Sequence, residues 1–128
     1  MKLHLHTSAQ QQQITGFDAE SISINHQRHA HGLIVHADTL TGAWFTGHWD
    51  TLDTQALAPI LALAPEVVLL GSGDKHRFIH PKHLQPFLER NIAVECMTTA
   101  AACRTYNILT AEGRNVLAAL LLEKELGG

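Results

Sequence analysis

The sequence predicts one α/β domain spanning residues 1–128, because strand patterns and helix patterns alternate along most of its length. Glu66–Leu70 and Ile92–Cys96 are short and largely aliphatic, which is typical of strands inside a covered sheet. A helix-like segment separates them, so the three elements predict a parallel βαβ unit with a right-handed crossover. With 45% hydrophobic residues, the chain can bury a core without disulfides or a structural metal.

The first third of the chain has strand patterns. Ser21–Asn25 alternates with period two, as half-buried strands do. His31–Ala37 and Thr41–Phe45 are two more candidate strands, and Asp38–Leu40 between them is short enough for a hairpin. We therefore expect a β-meander here, preceded by a surface segment at the glutamine-rich Ala9–Gln13.

Three helices are predicted from residues that favour helix starts and stops. Their bounds are Thr51 or Asp53 to Pro65, Pro81 to about Arg90, and Thr98 or Thr99 to about Gly113. Pro59 must lie in the first turn of its helix or kink it. Val116–Leu122 is ambiguous, because its leucines and alanines favour a helix whereas its shortness favours a buried strand.

Composition excludes several classes of protein. The net charge of −3 lacks the basic excess that nucleic-acid binding requires. The longest apolar run, Val116–Leu122, is far shorter than the roughly 20 residues that span a bilayer. The N-terminus lacks the apolar stretch of a secretory signal, and Cys96 and Cys103 do not form a disulfide framework. We expect a cytoplasmic, reduced protein with no membrane insertion.

A glycine loop follows the first buried strand. Gly71, Ser72 and Gly73 would let backbone N–H groups approach an anion, and Lys75, His76 and Arg77 follow closely. The loop lacks the third glycine of the dinucleotide fingerprint and the Gly-Lys-Ser/Thr of a phosphate-binding loop. Two interpretations remain open: a tight turn with a solvated charge cluster, or a site for a small anionic ligand.

Histidines are abundant, with ten in the chain. Some lie at spacings that could bind a metal: His4 with His6, His29 with His31, and His76 with His80 and His83. Because no acidic or cysteine partner stands at ligand spacing, surface histidines are the favoured interpretation, and we expect no metal site. Trp44 and Trp49 could form a binding surface, although core packing is favoured.

The string Cys103–Asn107 is the most unusual in the chain. On a helix, Cys103 and Asn107 would share a face, whereas Arg104 would point elsewhere. No neighbouring base would activate the thiol, so a buried packing role is favoured over a nucleophile. Alternatively, Arg104 or Tyr106 could hydrogen-bond back to the glycine loop.

Residues Val67 to Leu122 resemble the Mth938-like domain family, a group of unknown function. The resemblance rests on Leu69–Gly73, Arg77-Phe78, Glu95–Ala102, Cys103–Leu109 and Ala111–Arg114. It implies three layers: a β-hairpin with a helix, a central mixed sheet whose last strand is antiparallel to the others, and further helices. It also implies that Val116–Leu122 is that last strand. Relatives in this family include a mitochondrial assembly factor for respiratory complex I and a protein linked to adipogenesis.

The first hypothesis for function is a non-enzymatic binding or assembly module with a protein partner and no cofactor, because no complete catalytic or metal set is present. The alternative is a small-ligand site, with or without catalysis, between the glycine loop and the Cys103–Asn107 helix. Its expected residues are Gly71, Ser72, Gly73, Arg77, Arg104, Tyr106 and Asn107. A homo-oligomer interface at the meander and its tryptophans is compatible with either hypothesis.

Overall fold

A computed structural model describes residues 12–127, so the predictions for His4, His6 and most of Ala9–Gln13 lie outside the described residues. Within residues 12–127 the strands are β1 Ile14–Asp18, β2 Ser21–Ile24, β3 Gln27–His29, β4 Leu33–His36, β5 Thr39–Gly42, β6 Val67–Ser72, β7 Ala93–Met97 and β8 Val116–Leu121. The α-helices are α1 Thr54–Ala62, α2 Pro81–Glu89 and α3 Thr99–Ala111.

The strands form two sheets. β1, β2 and β3 make an antiparallel sheet, and the other five form a central sheet in the order β5-β4-β8-β6-β7. β6 runs parallel to both β7 and β8, whereas β4 runs antiparallel to β5 and β8. The predicted α/β class, the mixed central sheet and the parallel pairing of β6 with β7 are therefore confirmed.

The N-terminal β-meander is present, but its strands differ from those predicted. It consists of β1, β2 and β3, whereas the predicted strand at His31–Ala37 is β4 of the central sheet. The physical reason is burial: Leu33, Ile34 and Val35 are buried on both faces, and only a strand inside a covered sheet provides that environment. Thr39 and Leu40, predicted as the loop, belong to β5, while Trp44 and Phe45 lie beyond it.

Strand β8 resolves the ambiguity of Val116–Leu122 in favour of a strand, and all six of its residues are buried. Its direction corrects one expectation. β8 is antiparallel only to β4 and is parallel to β6, because α3 returns the chain across the sheet before β8 begins.

The three predicted layers are confirmed. On one face of the central sheet, the meander and α3 enclose a cluster that contains Ile22, Ile24, Cys103 and Tyr106. On the other face, α1 and α2 enclose a second cluster around Leu57, Ile60 and Phe87. Alternate residues of β8 contribute to each cluster, which places this strand between the two cores.

Each helix begins as its N-terminal residues predict. Asp53 accepts a hydrogen bond from the Ala56 amide at the start of α1, and Thr98 caps α3 through the Ala101 amide. Pro81 is the first residue of α2, where its missing N–H has no helical partner to lose. Pro59 lies inside α1 rather than in its first turn, and it is exposed although Ile60 beside it is buried.

Candidate functional site: the loop after strand β6

The glycine loop is shorter than predicted, because β6 continues through Ser72 and the loop begins at Gly73. Gly71 is required by the close approach of α3: a Cβ at this position would lie 2.9 Å from the Thr99 Oγ1 and 3.0 Å from the Thr99 Cα. The structure therefore assigns Gly71 to the packing of the sheet against a helix.

The first two backbone donors of the loop are bonded within the protein. The Gly73 amide donates to the Thr99 Oγ1 at 2.8 Å, and the Asp74 amide donates to the Glu123 Oε1 at 2.8 Å. Gly73 has a φ of +83°, and a Cβ there would approach the same Glu123 oxygen. A ligand phosphate or carboxylate would have to displace these two internal acceptors.

Arg77 is held across the loop by Glu123. Its Nη1 and Nη2 donate to the two carboxylate oxygens at 3.1 and 3.0 Å, and Nη1 also donates to the Ser72 carbonyl. This hydrogen-bonded pair raises the pKa of Arg77 and lowers the pKa of Glu123, although partial burial opposes both shifts. The positive charge of the Arg77 guanidinium is thus already paired with the Glu123 carboxylate.

The buried hydroxyl groups of Ser72 and Thr99 make further hydrogen bonds to the backbone of the loop. The Ser72 hydroxyl donates to the Lys75 carbonyl at 2.6 Å and accepts from the Arg77 amide at 3.1 Å. The fully buried Thr99 hydroxyl donates to the Leu121 carbonyl while accepting from Gly73. These bonds tie the loop to β6, to α3 and to the last residue of β8.

The fixed loop exposes an aromatic side chain. Phe78 is 74% exposed, whereas Ile79 beside it is buried in the second cluster and Arg77 is held by Glu123. The Trp49 Nε1 donates to the Phe78 carbonyl at 2.9 Å, and the His76 ring lies 4.4 Å from the Phe78 ring. With Ile79 buried and Arg77 paired with Glu123, the Phe78 ring lies on the surface of the loop.

The predicted residues of the third helix line a different cavity. Arg104, Asn107 and Cys103 border a space of about 290 Å³ between α3 and β1, whereas Arg77 borders another of about 250 Å³ with Lys75. The Asn107 side chain accepts from the Ile14 amide at 3.1 Å and donates to the Ile14 carbonyl at 2.6 Å. The two halves of the predicted ligand site thus lie on separate cavities.

Tyr106 and Cys103 are core residues. Tyr106 is fully buried, and its hydroxyl donates to the Gln12 carbonyl at 3.1 Å. Burial raises the pKa of Tyr106 to about 12. Burial also raises the pKa of Cys103 to about 12, against the opposing effect of the Arg104 charge. The thiol of Cys103 therefore stays protonated at neutral pH.

The histidines serve separate local roles. His80 accepts from the Lys82 amide at the start of α2, and the His83 Nδ1 accepts from the Thr54 amide. His31 lies 3.4 Å from the carboxylate of Glu125. Among residues 12–127, no three His, Cys, Asp or Glu side chains come together as metal ligands.

Two features of the loop were not identified as functional from the sequence. Glu123 lies 46 residues along the chain from Arg77, and no local pattern connects them. Phe78 belongs to the Arg77-Phe78 pair that contributes to the family resemblance, but its exposure depends on the burial of Ile79. An aromatic residue in a loop between a charged residue and a helix-starting proline is the signal that could have identified it.

The fold and the loop together define a three-layer α/β domain that exposes an aromatic side chain on the loop after β6. The chain belongs to the family described as Protein of unknown function (DUF498/DUF598), whose model matches residues 14–121. Among solved structures, a Bordetella parapertussis protein is 33% identical with a TM-score of 0.81, covering 88% of this chain and 97% of its own. A Bordetella pertussis protein described as a Mth938-like domain is 28% identical with a TM-score of 0.77, covering 88% and 86%. The predicted family resemblance is confirmed.

A curated relative carries a functional name. The chain is 38% identical over 80 residues to NADH dehydrogenase (ubiquinone) 1 alpha subcomplex assembly factor 3 of Mus musculus. The match covers 61% of this chain and 43% of the mouse protein, so the chain spans about half the length of the curated relatives it matches. Within residues 12–127, no helix has both the length and the apolar character needed to cross a membrane.

Proposed function

We propose that the chain is a protein-binding domain of the assembly-factor type, which acts without catalysing a reaction. The observation that carries the proposal is the 74% exposed Phe78 on a loop fixed by internal hydrogen bonds. The similarity to the mouse assembly factor supports the choice of a protein as the ligand.

Phe78 has the properties of an anchor residue at a protein interface. Aromatic side chains supply much of the binding free energy at interfaces when a partner removes them from water. Binding costs less when the anchor is already ordered, because less conformational entropy is lost on association. The contacts of Arg77, Ile79 and Trp49 hold the backbone that carries Phe78 before any partner arrives.

The partner class follows from the relatives: subunits or assembly intermediates of an NADH dehydrogenase. Affinity capture from the source cells, with the wild-type chain as bait, is expected to recover such subunits reproducibly. Phe78→Ala is expected to lower their recovery at least about tenfold, as for a truncated aromatic hot spot. Ile108→Ala is the matched control, since Ile108 is 59% exposed on α3 and is expected to leave recovery unchanged.

Equal recovery by the Phe78→Ala and wild-type chains would contradict the role of Phe78, and absence of dehydrogenase subunits would contradict the partner class. Sedimentation analysis tests the alternative use of the surface. If the wild-type chain self-associates and Phe78→Ala abolishes the association, the loop forms a homo-oligomer interface instead.

A cytoplasmic location remains part of the proposal and is supported by the two free thiols, Cys96 and Cys103.

A second candidate function uses the cavity beside Arg104. Its wall combines apolar groups of Ile14, Phe17 and Cys103 with the exposed guanidinium of Arg104, which suits a small carboxylate with an apolar tail. A thermal-shift screen of short-chain monocarboxylates is expected to raise the melting temperature of the wild-type chain and of the Arg114→Ala control. Loss of the shift in Arg104→Ala would support the site, whereas an unchanged shift would exclude it.

A further inference from the structure

The edge of the central sheet at β7 borders an apolar groove. The groove measures about 360 Å³ and lies between this strand and α2. Its apolar lining includes Leu84, Phe87, Leu88 and Val94, and Leu88 is 68% exposed. Neither Phe78 nor Arg104 lines it, so it is a surface separate from those discussed above.

The backbone of β7 is paired on one side only. It lies at the edge of the central sheet, and within residues 12–127 its only strand partner is β6. An edge strand presents a row of unpaired N–H and C=O groups to which an extended segment can add. β7 contains no proline that would block such addition.

The side chains of β7 divide between two faces. Val94 and Cys96 pack towards the cluster under α2, whereas Ala93 and Glu95 are exposed on the opposite face. A segment added beside β7 would have the same alternation. Its apolar side chains would enter the groove beside Leu88, and the side chain between them would lie next to Glu95.

The charge of Glu95 determines which kind of segment can bind beside β7. An incoming Lys or Arg opposite Glu95 would form a favourable cross-strand pair, whereas a carboxylate would be repelled. A second copy of this chain fits poorly, because the antiparallel register that pairs all five residues of two β7 strands places one Glu95 directly opposite the other. The groove therefore favours a basic, alternating strand from another protein.

We propose that β7 accepts an extended segment of a partner protein, in which a Lys or Arg stands between two aliphatic residues. The segment adds a sixth strand to the central sheet, inserts its aliphatic side chains beside Leu88, and pairs its cation with Glu95. This proposal rests on the proposed protein-binding role and gives that role a second surface with its own recognition rule.

The test uses isotope-labelled chain and a synthetic probe, acetyl-Thr-Val-Lys-Val-Thr-amide, followed by amide NMR shifts. The probe has the same sequence in both directions, so it serves for parallel or antiparallel addition. Shifts are expected at Ala93–Met97 and along α2. The Lys probe is expected to bind about fivefold tighter than the same peptide with Glu at its centre. N-methylation of the lysine amide and both valine amides is expected to abolish binding in either direction, because it removes backbone donors from both edges of the peptide.

Charge reversal at Glu95 provides the decisive comparison. Glu95→Lys is expected to reverse the preference, so that the Glu probe binds tighter. Glu112→Lys, at the exposed end of α3, is the matched control and is expected to keep the wild-type preference.

The proposal is overturned if millimolar Lys probe leaves the Ala93–Met97 amides unshifted, or if Glu95→Lys retains the wild-type preference. It is also overturned if these amides shift with protein concentration alone, because a second copy would then occupy the edge. Because the readout is the β7 amides with a synthetic peptide, its failure is distinct from failure of the Phe78→Ala capture experiment.

Discussion

At the scale of single residues, the loop after β6 shows why a glycine pattern alone does not define an anion site. The Gly73 and Asp74 amides could face a phosphate, but Thr99 and Glu123 already accept from them. Arg77 could supply the counter-charge, but the same Glu123 carboxylate binds it through two hydrogen bonds. An internal carboxylate thus occupies the place that the sequence pattern offers to a ligand.

Glu123→Gln tests the contribution of this carboxylate to stability. At neutral pH we expect the substitution to lower the free energy of unfolding by about 1 kcal/mol, a modest value because both partners are partly solvated. The folded-state pKa of Glu123 lies below its ordinary value of 4.5, so the unfolded chain takes up the proton first. The difference between wild type and variant should therefore be complete above pH 4.5 and shrink as the pH falls through the lowered pKa. Urea unfolding at neutral and acidic pH measures it, with exposed Glu112→Gln as the control; a gap that persists in acid would contradict the pairing.

Cys103 provides a second test at this scale. Its side chain is buried and burial raises its pKa to about 12, so little thiolate is present to attack an alkylating reagent. We expect iodoacetamide to modify Cys103 only as fast as the native protein opens, and rapidly in urea. Mass spectrometry of proteolytic fragments separates it from the half-buried Cys96. Rapid labelling of Cys103 in the native protein would contradict a purely packing role and make this residue a candidate nucleophile again.

At the scale of elements, α3 joins the meander to the central sheet. Its Asn107 side chain bonds both the amide and the carbonyl of Ile14, as a neighbouring strand would. Its Thr99 hydroxyl bonds the Gly73 amide and the Leu121 carbonyl at the other end of the helix. The helix is therefore held at one end to β1 and at the other to the loop that carries Phe78.

Asn107→Asp tests the attachment to β1. Aspartate can still accept from the Ile14 amide, but it cannot donate to the Ile14 carbonyl and brings two acceptors together. We expect a loss of about 1–3 kcal/mol, the usual cost of an unsatisfied buried group. Hydrogen exchange should accelerate in β1–β3 more than in β6 and β8. Thr105→Ala, a half-buried position of the same helix, should leave this pattern unchanged; equal acceleration across both sheets would contradict the local attachment.

The central βαβ unit could be predicted from sequence because its signals are local: short aliphatic strands, Pro81 at a helix start and Thr98 as a cap. The hairpin predicted at His31–Phe45 is present as β4 and β5, but its turn lies at Ala37 and Asp38 rather than at Asp38–Leu40. Ala37 has a φ of +54°, a conformation that alanine rarely adopts, so the sequence gives no signal for a turn there. The sequence joined the glycine loop and the Cys103–Asn107 helix into one candidate site, whereas in the structure Arg104 and Arg77 border separate cavities. The direction in which Arg104 points from α3 and the pairing of Arg77 with the distant Glu123 both depend on tertiary packing.

At the scale of the whole molecule, β8 separates two apolar cores. Val116, Ala118 and Leu120 contribute to the cluster under the meander and α3, whereas Leu117, Ala119 and Leu121 contribute to the cluster under α1 and α2. A strand that contributes to both cores couples their stability. If β8 left the central sheet, its side chains would be removed from both clusters at once. We therefore expect the chain to fold as one domain, as its length predicts.

Matched truncations on the two faces of β8 test this coupling. Leu120→Ala removes a fully buried side chain from one core and Leu121→Ala removes one from the other, each at a cost of about 2–5 kcal/mol. Trp44 and Trp49 pack against the second core, so their fluorescence monitors that face, and the methyl signals of Ile22 and Ile24 monitor the first. If the chain is one cooperative unit, both probes should follow the same urea transition in the wild type, and either substitution should shift both midpoints together. Separate midpoints, or a shift confined to the face that carries the substitution, would show two units that unfold independently.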